Sequence, residues 1–161
     1  MSSYLSQTIL KGTYTILLIC SEPFRLKLGS LGYVKVKKGY FVYTGSALGP
    51  GSVSLEGRIN RHRRRSKNVR WHIDYLTTRR EIHTRGSVSI RSRARLECLI
   101  NTDIIKKLRG CPLIERAGAS DCKCRGHLLR VREQSSGVAD LIDQLSKIYA
   151  AFGVPITQRY S

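Results

Sequence analysis

Two runs of aromatic and β-branched residues constrain this chain most. GTYTILLIC, residues 12–20, and YFVYT, residues 40–44, have the length and composition of strands. In the first, Tyr14, Ile16, Leu18 and Cys20 fall on one face. The second opens after Gly39 and stops at Gly45, where the small-residue loop GSALGPGSVSL begins. That loop lacks the Gly-Lys-Ser/Thr ending of a P-loop, so a nucleotide cradle does not explain it. The two strands are expected to pair antiparallel. Residues 23–37, which alternate weakly around Gly29 and Gly32, form a loop or short hairpin between them.

Helical spacing follows. Ser54 is placed to cap a helix over about 55–65, in which Leu55, Ile59 and His62 recur at i, i+4 and i+7 with Arg58 beside them. WHIDYL, 71–76, alternates Trp71, Ile73 and Tyr75 and reads as a third strand, followed over 77–90 by a polar hairpin or loop with room for a short strand at its end. Ser92 then caps a second helix with the stripe Leu96, Leu99, Ile100, Ile104 and Leu108, stopped by Gly110 and Pro112. After the loop AGASDCKCRGH comes a short strand, HLLRV. A break at 133–137 precedes an amphipathic helix carrying Val138, Leu141, Ile142, Leu145, Ile148, Tyr149 and Phe152. The expected fold is α+β: residues 1–133 as one domain, with 134–161 as a C-terminal helix packed on it or offering a weak dimer contact.

Composition narrows the partners. Across 161 residues, 29 Lys+Arg stand against 11 Asp+Glu, a net charge of +18. An excess of that size favours a polyanion, because binding phosphates releases condensed counterions. No stretch reaches the ~20 apolar residues of a membrane span. The N-terminus lacks the pattern of a signal peptide, and five cysteines, an odd number, suit a reducing compartment. The expected location is cytoplasmic.

Five residues on these elements supply the parts for phosphodiester hydrolysis: Tyr14, Tyr43, Arg58, His62 and Glu97. A carboxylate can hold Mg²⁺, an arginine can steady a phosphate, and a tyrosine or histidine can take the proton of attacking water. Each has an ordinary alternative. Strand tyrosines pack, Arg58 sits in a charge run, and Glu97 lies four residues after Arg93, within reach of a surface ion pair.

The order GTY (12–14), YTG (43–45), LEGRINRH (55–62) and RLECLI (95–100) resembles the GIY-YIG nuclease superfamily. YTGSALGPG, RINRHRR, WHIDYL and ASDCKCRGHL resemble a small prokaryotic branch of it, whose members occur alone or appended to endonuclease III-like repair enzymes. The resemblance implies a three-stranded antiparallel sheet flanked by helices and single-metal hydrolysis of DNA. It implies Tyr14 and Tyr43 as paired active-site tyrosines, Arg58 on the scissile phosphate and Glu97 holding one Mg²⁺ or Mn²⁺. Gly45 would let backbone approach substrate closely. Ser46, Arg61, Arg65, Lys67 and His72 are further candidate substrate contacts. The chain departs from the pattern in Thr13 and Thr44, where the motif has isoleucine, and in a wider gap between the tyrosine motifs. It also lacks the late asparagine many members have, for which Asn101 and the Asp121 loop are substitutes.

Cys122, Cys124 and His127 form a second group, three potential Zn²⁺ ligands to which Cys98 or Cys111 can add a fourth. A demanding loop near the active site, or one that contacts DNA, is the competing reading. The functions in contention are a metal-dependent endonuclease acting on duplex or branched DNA, for instance in repair, and a catalytically silent DNA- or RNA-binding module. If Tyr14 is the base, Tyr14→Phe abolishes activity.

Overall fold

Strand β1 (Gly12–Cys20) is the centre of the molecule, and all but one of its residues are buried. In the computed structural model, which describes residues 10–49, 54–132 and 137–161, a hairpin of β2 (Phe24–Lys27) and β3 (Tyr33–Val36) follows. The chain then returns as β4 (Gly39–Ala47), antiparallel to β1 with Tyr14 opposite Gly45 and Ile16 opposite Tyr43. The expected pairing and the expected hairpin excursion are both present.

Helix α1 (Leu55–Arg63) starts where Ser54 accepts a hydrogen bond from the Gly57 amide at 3.1 Å, a cap worth about 1 kcal/mol. The next segment corrects the sequence reading. Residues 71–76 are not a strand, because His72–Thr77 forms a short helix, α2. Its buried residues Ile73, Leu76 and Thr77 follow i, i+3, i+4, and the Asp74 carboxylate accepts from the Arg70 and Trp71 amides at 2.9 and 3.1 Å. Over six residues, alternation and helical spacing both fit, and the cap decides.

The third central strand is instead β5 (Ile82–Arg91), in the segment read as a polar hairpin or loop ending in a short strand; the strand is there, and at ten residues it is long. It pairs with the free side of β1, where Gly12 allows the approach: a Cβ there would lie 1.9 Å from the Ile90 carbonyl oxygen. Helix α3 (Glu97–Leu108) starts later than expected. Ser92 does not cap it but closes a local turn by accepting from the Ala94 amide. Ile100, Ile104 and Leu108 are buried as read, whereas Leu99 is 57% exposed and Asn101 takes its place in the buried face.

The chain ends with β6 (Cys111–Pro112), β7 (Leu128–Val131), α4 (Gly137–Ala150) and β8 (Ile156–Arg159). The main sheet has six strands, ordered β6-β7-β4-β1-β5-β8, and not three. All its pairings are antiparallel, and the expected trio is its middle. One face, carrying Tyr14, Ile16, Leu18, Phe41 and Tyr43, packs against Leu55 and Ile59 of α1 and Ile73 and Leu76 of α2. The other face, with Leu17, Val42, Val88 and Ile90, packs against the buried stripes of α3 and α4.

The C-terminal segment is integral to this domain. Leu141, Ile142, Leu145, Ile148 and Tyr149 of α4 are buried, and β8 extends the sheet by pairing with β5. The Tyr149 hydroxyl lies 2.7 Å from the Thr15 hydroxyl, itself 2.8 Å from that of Thr44, so the polar interruptions of β1 and β4 are satisfied together. The stripe proposed as a dimer contact is therefore covered within the chain. The expected break at 133–137 and the middle of the glycine loop at 50–53 lie outside the described residues, except Gly137, which begins α4. Among the described residues, no helix is long and apolar enough to cross a membrane.

Candidate active site

The antiparallel register of β1 and β4 puts Tyr14 and Tyr43 on one face as diagonal neighbours, with ring centroids 6.3 Å apart. His62, on the inward side of α1, closes the cluster. Its ring centroid is 5.5 Å from each tyrosine's, and its Nε2 is 2.8 Å from the Tyr14 hydroxyl. Trp71 meets His62 edge-on, and the Arg58 and Arg61 guanidinium carbons lie 4.7 and 4.8 Å from its ring centroid.

Tyr43, Arg58 and Trp71 of this cluster border a polar cleft of about 260 Å³. Tyr43, Gly45, Ser46, Arg58, His72 and Glu97 all line it, as do Asp121 and His127, so eight sequence-derived candidates from five separate segments meet at one place. Glu97 begins α3, and its Oε2 accepts a hydrogen bond from the Ser46 hydroxyl, not the expected partnership with Arg93. His72 Nδ1 accepts from the Gly118 amide at 2.9 Å, which fixes the ring at the cleft wall. Sequence reasoning missed Arg70, Trp71 and Arg95, which also line the cleft. The sequence puts Trp71 on the face of a strand, whereas its place beside Arg58 depends on the turn into α2.

Other candidates are placed elsewhere. Tyr14 is fully buried behind Tyr43 and does not line the cleft. Gly45 is glycine for a reason within the chain: a Cβ there would meet the Tyr14 hydroxyl at 2.7 Å. Arg61 donates to Asp74 Oδ2 at 2.7 Å and to the Asn68 carbonyl at 2.6 Å. Lys67 Nζ, nearly sealed, donates to the Arg61 carbonyl at 2.9 Å and sits 3.7 Å from Asp74 Oδ1. Arg65 reaches the Arg79 and Ile82 carbonyls and borders a different depression. Arg61, Lys67 and Arg65 therefore brace the basic segment between α1 and β5. Asn101 is buried and donates to the Gly126 carbonyl at 2.8 Å, away from the cleft, while Asp121 does line it, 3.7 Å from Arg95.

Burial dominates the proton chemistry. It pushes the Tyr43 phenol up to about 12, with the Arg58 charge offsetting part of the rise. Tyr14 is raised well above its ordinary value, first by burial and then by Tyr43, again partly offset by Arg58. His62 is lowered to about 3 by burial and then by the Lys67 charge, so the imidazole is neutral at physiological pH. Desolvation outweighs the Arg58 guanidinium at both phenols, so neither ionises easily.

The oxygen donors of the cleft (Glu97, Asp121 and Ser46) suit a hard divalent ion, which takes one or two carboxylates and otherwise keeps water and phosphate oxygens. The donors of the Cys loop differ in kind. Cys98, Cys122, Cys124 and His127 have ligand atoms that all lie within 4.8 Å of one another, whereas Cys111 is exposed on β6 and outside the group. Burial, then the neighbouring Cys124 and Cys122 thiols, push Cys98 up to about 12, and burial also raises Cys124.

Fold and cleft together define the class: a strongly basic α+β protein with helices on both faces of an antiparallel sheet and a cation-lined cleft. The chain belongs to the family described as Domain of unknown function DUF123, which it matches over residues 13–150. No curated protein and no solved structure matches it.

Proposed function

We propose that this protein is a metal-dependent DNA endonuclease of the GIY-YIG kind, hydrolysing phosphodiester bonds. The supporting observation is the convergence of Tyr43, Arg58 and Glu97 on one cleft that Arg70 and Arg95 also enter. A protein that only held a phosphate backbone would have no use for a carboxylate among these cations, since it repels the ligand. Beside a reacting phosphate, Glu97 has a role: it is the ligand for one Mg²⁺ or Mn²⁺, which when bound would neutralise charge developing on the phosphoryl oxygens.

The chain's own groups divide the remaining work. Arg58, its guanidinium held over the Trp71 ring, presents that group to the phosphate. Arg70 and Arg95 contact flanking phosphates and set the register of the strand. Tyr43, at the cleft wall, accepts the proton of the attacking water in the fraction of chains where it is phenolate. Tyr14 and His62 are positioning residues: their hydrogen bond fixes the aromatic cluster on which Tyr43 leans.

The alternative is a silent DNA- or RNA-binding module, favoured by the full burial of Tyr14 and the raised phenol of Tyr43. Incubation with plain, nicked, flapped and branched DNA in Mg²⁺ or Mn²⁺ separates the two. Cleavage of at least one substrate is expected. Tight, salt-sensitive binding with no cleavage of any of them would favour the silent module.

A further inference from the structure

We infer that Cys98, Cys122, Cys124 and His127 form a structural zinc site that locks the rear wall of the cleft. Three of the four come from one tight loop, Cys-x-Cys-x-x-His, and the fourth from the first turn of α3. The distances fit a tetrahedron. With Zn–S near 2.3 Å and Zn–N of about 2.0–2.1 Å, a nitrogen and a sulfur bound to the same zinc lie about 3.6 Å apart. His127 Nε2 is 3.5 Å from Cys122 Sγ and 3.7 Å from Cys98 Sγ.

The imidazole is oriented for this. His127 Nδ1 lies 3.1 Å from the Thr44 carbonyl oxygen, which can only accept, so Nδ1 carries the proton. Nε2 is left with a free lone pair aimed at the thiols, the orientation that outer hydrogen bonds impose on metal-bound histidines. The loop is braced from outside as well. Arg116 donates to the Cys124 carbonyl at 2.6 Å, and Asn101 to the Gly126 carbonyl at 2.8 Å. Four protein ligands leave no open position, which makes the site structural and not hydrolytic. Binding releases one proton from each of the three thiols and none from His127.

The site's place in the fold gives it a purpose. Cys98 adjoins Glu97, Cys122 adjoins Asp121, and Thr44 lies between Tyr43 and Gly45. The Thr44 amide also donates to the His127 carbonyl at 3.2 Å, so strand β4 is tied to the loop by two bonds. Zinc would thus fix, from behind, the three segments that carry the cleft's carboxylates and Tyr43. This ligand set is independent of the hydrolytic reading and holds equally for a silent binding module.

The test is metal analysis of the full chain purified under reducing conditions without chelator. About one zinc per chain is expected, retained in Cys111→Ser and lost in Cys124→Ser. Cobalt added to the metal-free chain should give the intense visible absorption of a tetrahedral thiolate site. In the zinc-loaded wild type, which needs no variant to fold, Cys111 should react at once with a thiol reagent, and mercurial titration of the other thiols should release the zinc. Zinc below about a tenth of an equivalent with no cobalt–thiolate absorption would overturn the proposal. So would a disulfide among these cysteines in place of metal, or zinc content unchanged in a folded Cys124→Ser chain.

Discussion

The Tyr14 hydroxyl and His62 Nε2 lie 2.8 Å apart in a pocket sealed from solvent. The pair joins β1 to α1, and Gly45 makes room for it, because any side chain there would strike the Tyr14 hydroxyl. Tyr14→Phe should leave His62 Nε2 unpaired and destabilise the chain by about 1–3 kcal/mol. Gly45→Ala should cost about 1–3 kcal/mol through overpacking. Denaturant melts check both. Of the two tyrosine variants, Tyr43→Phe should lose more cleavage relative to its loss of stability, since Tyr43 alone lines the cleft.

The pH profile follows from the Tyr43 phenol, raised to about 12 by burial. Below that value only a small fraction is phenolate, and the fraction grows tenfold for each pH unit. Cleavage rate should therefore climb by about tenfold per unit between pH 7 and 9. Arg58→Gln should shift the profile to higher pH, because the guanidinium lowers the Tyr43 value. A flat wild-type profile would remove Tyr43 from the proton transfer.

Asp74 holds the segment that delivers Arg70 and Trp71 to the cleft. Burial alone would raise its carboxyl, yet the amides of Arg70 and Trp71 and the Arg61 guanidinium bring it below its ordinary value. A depressed carboxylate contributes stability above the ordinary carboxylate range and loses it as pH falls through the folded value. Asp74→Asn should cost about 3 kcal/mol near neutrality, at the lower end for a broken buried pair because Arg61 keeps some exposure. The gap between variant and wild type should narrow as pH falls below the ordinary carboxylate range toward the depressed folded value. Urea melts at pH 7 and pH 3 measure it.

The sequence makes the site more legible than the sheet. Tyr14, Tyr43, Arg58 and Glu97 are identifiable through the order and spacing of GTY, YTG, LEGRINRH and RLECLI, the motifs that carry the resemblance, and the cleft does gather three of them. Residues 71–76 misled because six residues satisfy both periods; the deciding contact is the Asp74 cap, a local bond that apolar patterning does not register. Strand β5 was obscured because its buried stretch, GSVSI, is mostly small or polar, a composition allowed where β1 and β8 flank it closely. The Cys loop was visible as a motif, but Cys98 joins it only through the packing of α3.

The most direct measurement compares wild type with Glu97→Ala on the same DNA substrates in Mg²⁺ or Mn²⁺, following both cleavage and binding. The variant should bind DNA at least as tightly, having lost a negative charge from a cation-lined cleft, while cleavage falls by about a hundredfold or more. Equal cleavage by wild type and variant would contradict Glu97 as the metal ligand and with it the assignment of this cleft as a nuclease site.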